Sequence, residues 1–249
     1  MARPVLYPSL PVDYPSSDGL PMAESDFQRK PLIYAVEALT AYFQERDDIY
    51  VSGNLFIYYE EGNPQAVVAP DVFVVLGAEK HDRPSYRLWQ EPKAPDFVLE
   101  ITSRSTRSED QGSKRGLYAY LGVREYWQYD PTSDYLVPAL QGLALRGDHY
   151  EALPATWLAD GTLSLHSAVL GLEVRLEQGR LRFFDPATEA YLLTYQESEQ
   201  ARQTAEARVQ QEQTVRHAAE VRLAELEARL QALEAERPSP QSPPDNAQL

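Results

Sequence analysis

The sequence predicts an α/β protein: a mixed sheet flanked by helices, continued by a β extension and followed by a long C-terminal helix. Three observations predict it. Three runs rich in β-branched and aromatic residues, 49–60 (IYVSGNLFIYYE), 71–76 (DVFVVL) and 96–102 (DFVLEIT), follow a segment of helical period. Residues 96–130 read as strand, helix, strand, and such a passage within one sheet implies a right-handed crossover. From about Gln196 no glycine or proline occurs until Pro238, in a stretch rich in Glu, Arg, Ala, Gln and Leu, the composition of a long exposed helix.

Taken in order, residues 1–23 carry several prolines and read as an extended arm with no assigned chemistry. Phe27, Ile33 or Tyr34, Leu39, Tyr42 and Phe43 approach helical spacing between Glu24 and Arg46, with Pro31 tolerated near the first turn. After the three strand-like runs, Thr106 with Glu109 and Ser108 with Gln111 both fit a capping box. Leu117, Tyr118 and Leu121 then form a short apolar stripe that Gly122 closes. Arg124–Asp130 (REYWQYD) reads as the next strand, ended by Pro131. Residues 135–195 read as further short strands, including a hairpin in LEVRLEQGRLRFF that turns at Gln178 and Gly179. The main domain is therefore expected over 24–195 and the helix over 196–237. There Val209, Glu212, Arg216, Ala219, Leu223, Leu226, Leu230 and Leu233 follow alternating steps of three and four, convincing as a heptad only over the last two repeats. A tail at 238–249 is expected to be disordered.

Composition narrows the function. With 43% apolar and 10% aromatic residues the chain has the makings of a sizeable core. It has no cysteine and four scattered histidines, which excludes disulfides, a thiolate nucleophile and cysteine-ligated metal, and fits a cytoplasmic location. No apolar stretch approaches the length needed to cross a bilayer, so no membrane partner is expected. Neither a GxxxxGK nor a GxGxxG element is present, so nothing points to an ATPase or a dehydrogenase. The net charge of −15 opposes binding to nucleic acid. The segment 196–249, with ten acids against six arginines, accounts for only four of those charges. Residues 103–124 run the other way, with Arg104, Arg107, Lys114, Arg115 and Arg124 against Glu109 and Asp110.

Three polar residues stand out. Asp71 follows a proline and opens an apolar strand, Glu100 interrupts the next one, and Lys114 lies on the following helix. A carboxylate inside a covered strand is costly unless it is paired or bound to a metal. Two carboxylates offer hard oxygen ligands to magnesium or manganese, and a lysine nearby is suited to orient water or to stabilise a phosphorane-like transition state. Bland readings exist for each: Asp71 ends a loop, as does Asp96 in the same Pro-Asp context; Glu100 pairs with Arg104 or Arg124; Lys114 forms an exposed helical pair with Asp110. Tyr118 reads as core, and Tyr126, Trp127 and Tyr129 as sheet packing.

The run VVAPDVFVVLG, followed by PDFVLEITSRSTRSEDQGSKRGLYAYLGVREYWQYDP, resembles the Uma2 family of restriction-endonuclease-like proteins, within the PD-(D/E)xK nuclease superfamily, over roughly residues 25–190. The resemblance implies a restriction-endonuclease-like fold in which Asp71 matches the acid of the PD element and Glu100 the second acid. The superfamily pattern expects lysine two residues later, where this chain has Thr102. Family members resemble variants whose lysine has moved to the following helix, which implies Lys114. Glu37 on the first helix is a further candidate acid that no motif fixes.

The expected function is a metal-dependent endonuclease acting on nucleic acid, DNA favoured, with Asp71 and Glu100 binding Mg2+ or Mn2+ and Lys114 assisting the attacking water. The alternative is a non-catalytic, nuclease-like interaction protein that forms a homodimer through its C-terminal coiled coil.

Overall fold

The computed structural model describes residues 12–16, 25–102 and 112–235. Its residues cluster into two compact units, 1–195 and 196–249. In the first unit a six-stranded mixed sheet has a layer on each face.

The elements of that unit begin with helix α1 (Asp26–Tyr42), in which Pro31 sits in the second turn. Strands β1 (Ile49–Ser52), β2 (Ile57–Tyr58), β3 (Val67–Val68), β4 (Val72–Leu76), β5 (Tyr86–Arg87) and β6 (Phe97–Ile101) follow. Next come α2 (Ser113–Tyr120), β7 (Glu125–Tyr129), β8 (Leu140–Arg146) and β9 (His149–Ala152). Strands β10 (Ala155–Trp157), β11 (Leu163–Ser167), β12 (Leu172–Glu177), β13 (Arg180–Asp185) and β14 (Ala190–Tyr191) complete it. The central sheet has the order β1-β4-β6-β7-β8-β9, with β10 to β14 in a second sheet and β3-β2-β5 in a third. Only β6 and β7, joined through α2, run parallel within the central sheet.

Alternation along the central strands sorts their side chains onto two cores. On one face Val72, Val74, Phe97, Leu99, Trp127 and Leu140 pack with Tyr34, Ala35 and Leu39 of α1 and with Leu165, Val174 and Phe183 of the second sheet. On the other, Phe73, Val75, Val98 and Tyr126 pack with Tyr118 of α2 and with Ile57, Val68 and Tyr86 of the three-stranded sheet. The described part of the N-terminal segment lies on that small sheet: the Tyr58 hydroxyl donates to the Pro15 carbonyl at 2.6 Å, and Tyr14 stacks edge-on at 5.1 Å.

Two expectations change. The run 49–60 is not one strand, because β1 and β2 belong to different sheets. Its chain turns at Gly53, where a Cβ would lie 2.3 Å from the Asp71 carbonyl, and at Asn54, whose φ is 50°. The β extension at 135–195, expected within the same domain, divides between two sheets: β8 and β9 lengthen the central sheet and β10 to β14 form the second. The hairpin at Gln178 and Gly179 forms with φ of 48° and 77°, the doubly positive pair that suits a two-residue β-turn. The two capping boxes at 106–111 and the tail at 238–249 lie outside the described residues, as does most of the N-terminal arm.

The central and second sheets are joined by a buried acid. Glu125, at the start of β7, accepts from Trp127 Nε1 (3.1 Å), from the Ser167 hydroxyl (2.5 Å) and from the Val169 amide (3.1 Å). Removing it strands three buried donors, each costing about 1–3 kcal/mol when left without a partner. Glu125→Ala is therefore expected to lower stability by at least about 2 kcal/mol, and Ser167→Ala by about 1 kcal/mol, read as shifts in the urea midpoint.

Candidate active site

Asp71 and Glu100 are neighbours because of strand register. Strands β4 and β6 pair antiparallel with Val72 opposite Leu99 and Phe73 opposite Val98. One further step sets Asp71 across from Glu100. Phe73 and Val98 face the second core, and period two sends Asp71 and Glu100 to the same side. The Asp71 carboxylate crosses the gap between the strands and accepts the Ile101 amide at 2.6 Å. The loop before it is fixed by the Asn54 amide, which donates to the Pro70 carbonyl at 3.0 Å.

Glu100 is almost completely buried, at 1% exposure. Lys114 Nζ donates to its Oε2 at 2.9 Å and the Tyr118 hydroxyl to its Oε1 at 2.6 Å. Lys114 and Tyr118 are one turn apart on α2, hence on one face. The helix is anchored at its C-terminus by Gly122 (φ 78°): the Gly122 amide reaches the Ala119 carbonyl and the Val123 amide the Tyr118 carbonyl. This is the six-to-one and five-to-two pairing of a Schellman cap, and it leads the chain directly into β7. Burial, and then the negative charge of Glu100, push the Tyr118 hydroxyl well above its ordinary pKa. It thus stays protonated and remains a donor to Glu100.

Other candidates separate from this pair. Asp96, at the opposite end of β6, accepts the Leu76 amide at 2.8 Å and pairs with Lys93 at 2.7 Å. It joins β4 to β6 structurally. Arg124 lies 3.6 Å from Asp96, so the expected alternative of a Glu100–Arg124 pair is replaced by Glu100–Lys114. Glu37 is exposed on α1, the helix whose buried residues pack against the other face of the sheet. Arg104, Arg107 and Asp110 lie outside the described residues, whereas Arg115 and Arg124 are exposed cations near α2. Among the described residues no group of three or more His, Asp or Glu side chains is gathered as a metal cage.

The sequence reading missed two features. Tyr118 is core and also a direct partner of Glu100; its four-residue spacing from Lys114 was the signal available. Gln128, buried on β7, stands beside Glu100 in the parallel register and donates to the Tyr126 hydroxyl at 3.3 Å. Only the β6–β7 pairing reveals it. At the position where the superfamily pattern expects lysine, the Thr102 hydroxyl is buried and has no hydrogen-bond partner among the described residues.

The family model described as "Putative restriction endonuclease" (Uma2) matches residues 20–177. The chain belongs to the Uma2 family. Its sheets and helices make a mixed α/β architecture, the fold class expected from the sequence. Among solved structures it is similar to "a putative nuclease belonging to DUF820 from Anabaena variabilis ATCC 29413", with 16% identity and a TM-score of 0.41 over 65% of this chain and 86% of that one. Comparison with the curated proteins found no match.

Two outcomes test the local geometry. Lys114→Ala removes a cation from a buried carboxylate and is expected to cost about 3 kcal/mol in denaturant unfolding. At high pH the sign follows from Tyr118: its folded pKa is raised, so its contribution is complete below the unfolded value of about 10 and is lost as pH rises toward the folded one. Stability should therefore fall above about pH 10, and less steeply in Tyr118→Phe, as measured by thermal midpoints across that range.

Proposed function

We propose that this Uma2-family protein is a metal-dependent endonuclease that hydrolyses phosphodiester bonds in nucleic acid, with DNA the favoured substrate. The observation that carries this reading is the juxtaposition of Asp71 and Glu100 on adjacent strands, with Lys114 paired to Glu100. A magnesium ion is commonly held by one or two carboxylates plus substrate phosphate oxygens and water, rather than by an all-protein cage. Two carboxylates with hard oxygen donors fit that requirement, for Mg2+ or for Mn2+. When bound, such an ion supplies Lewis-acid charge and lowers the pKa of a coordinated water.

The protein's own groups then divide the work. Asp71, half-buried beside the start of β4, and Glu100, buried across from it on β6, would supply the ion's carboxylate ligands. Tyr118 and Lys114 fix the Glu100 carboxylate from two sides, so the site needs little reorganisation when substrate arrives. Lys114 also places a positive charge beside the reacting centre, suited to orienting the attacking water and to offsetting charge that builds on the phosphoryl oxygens. Exposed Arg115, next to Lys114 on α2 and donating to the Tyr150 carbonyl at 3.0 Å, offers a further phosphate contact. Against a net charge of −15, these local cations support engagement at one rim rather than coating of long DNA.

Nicking of supercoiled DNA in manganese is the direct measurement. Asp71→Ala and Glu100→Ala are each expected to lower the rate at least about a hundredfold while circular dichroism shows a folded chain. Calorimetry with manganese should show binding to the wild type and its loss in Glu100→Ala. Cleavage that persists unchanged in both variants overturns the assignment, and a wild type that neither binds manganese nor nicks DNA leaves the non-catalytic interaction reading in its place.

A further inference from the structure

Helix α3 (Tyr195–Ala235) has 41 residues and is thus about 60 Å long. The side chains described along 201–232 are all exposed, including Leu223 at 59%, Leu226 at 52% and Leu230 at 59%. Helix propensity alone gives marginal stability, and most helices depend on burying an apolar face. Ala219, Leu223, Leu226 and Leu230 recur at the d and a positions of a heptad, and this seam has nothing packed on it within the helix itself.

The flanking charges identify what fits the seam. With those assignments the g positions at 222 and 229 are both arginine, and the e positions at 220, 227 and 234 are all glutamate. In a parallel, in-register pair each g residue faces the e residue of the next heptad on the other helix. Arg222 then meets Glu227 of the second copy, and position 229 meets position 234. In an antiparallel pair g faces g and e faces e, which sets arginine against arginine and glutamate against glutamate. Within one helix Arg222 makes only a long pair with Glu225, at 3.4 Å, which is readily exchanged. Upstream, Glu212 and Arg216 would occupy d and a, stacking like charges across the two-fold seam. The pairing therefore begins at Ala219.

We infer that α3 binds α3 of a second copy of this chain as a parallel, in-register, two-stranded coiled coil over residues 219–234, closed by the leucine seam and oriented by the Arg–Glu rows. The pairing does not depend on nuclease activity, so the two readings fail separately.

The chain has no cysteine, so Ala219→Cys and Leu230→Cys each introduce the sole thiol into the full-length protein. A parallel in-register coil brings each position against its own copy, and both variants should form an intermolecular disulfide on mild oxidation. An antiparallel coil, in any register, brings at most one position against itself. Sedimentation of the wild type should give a dimer that dissociates on dilution. Arg222→Glu with Arg229→Glu should raise the dissociation constant about tenfold, and adding Glu227→Arg should recover part of the loss. These positions are on an exposed helix, so thermal melting of the 1–195 unit should not change and confirms folding in every variant. A monomeric mass at all concentrations, self-crosslinking at one position only, or dimerisation indifferent to the charge reversals overturns the inference.

Discussion

The burial of Glu100 is the constraint on which the rest of the site depends. Taking a carboxylate out of water costs several kcal/mol unless charge and hydrogen bonds replace the solvent. Here a lysine and a tyrosine from one face of α2 replace it. That requirement fixes the rotation of α2 and, through the Gly122 cap, the entry of the chain into β7. The parallel β6–β7 pair and the helix between them are thus organised around one buried acidic side chain.

The protein buries several other acids, and their surroundings separate structural duty from candidate chemistry. Glu125 is surrounded by neutral donors that join two sheets. Asp130, completely buried, is pushed up by desolvation, but the Tyr135, Thr132 and Leu136 donors outweigh this and hold its carboxyl below the usual range. Asp96 ties β4 to β6 and binds two cations at the far end of the strand. Asp71 and Glu100 differ in that two carboxylates share one side of the sheet at the same level, with a lysine against the deeper one. Carboxylates that share one side of a sheet repel when both are ionised, an arrangement that a bound cation would relieve.

Charge is distributed unevenly in ways that the net value of −15 conceals. Near α2 the exposed arginines oppose the general acidity. Along α3 the arginines and glutamates are segregated to opposite flanks of one seam, where their total matters less than their order. Net charge governs long-range repulsion between molecules, whereas ordered charge governs which surfaces meet and in which direction.

The sequence by itself determined the helix and strand content, the Gln178–Gly179 hairpin, the long helix and the identity of Asp71, Glu100 and Lys114 as a candidate set. The elements and Glu100 are set by period, turn chemistry and the improbability of a charge within an apolar strand, all of which act over short distances along the chain, whereas Asp71 and Lys114 join Glu100 through the resemblance to the Uma2 family. Only the tertiary structure decided that Asp71 lies across from Glu100, that Lys114 and Tyr118 close on it, that Gln128 stands beside it, and that 49–60 divides between two sheets. Those facts depend on strand register and on close approaches such as Gly53 to the Asp71 carbonyl. Register is a property of pairs of segments distant in sequence, so no single segment carries it.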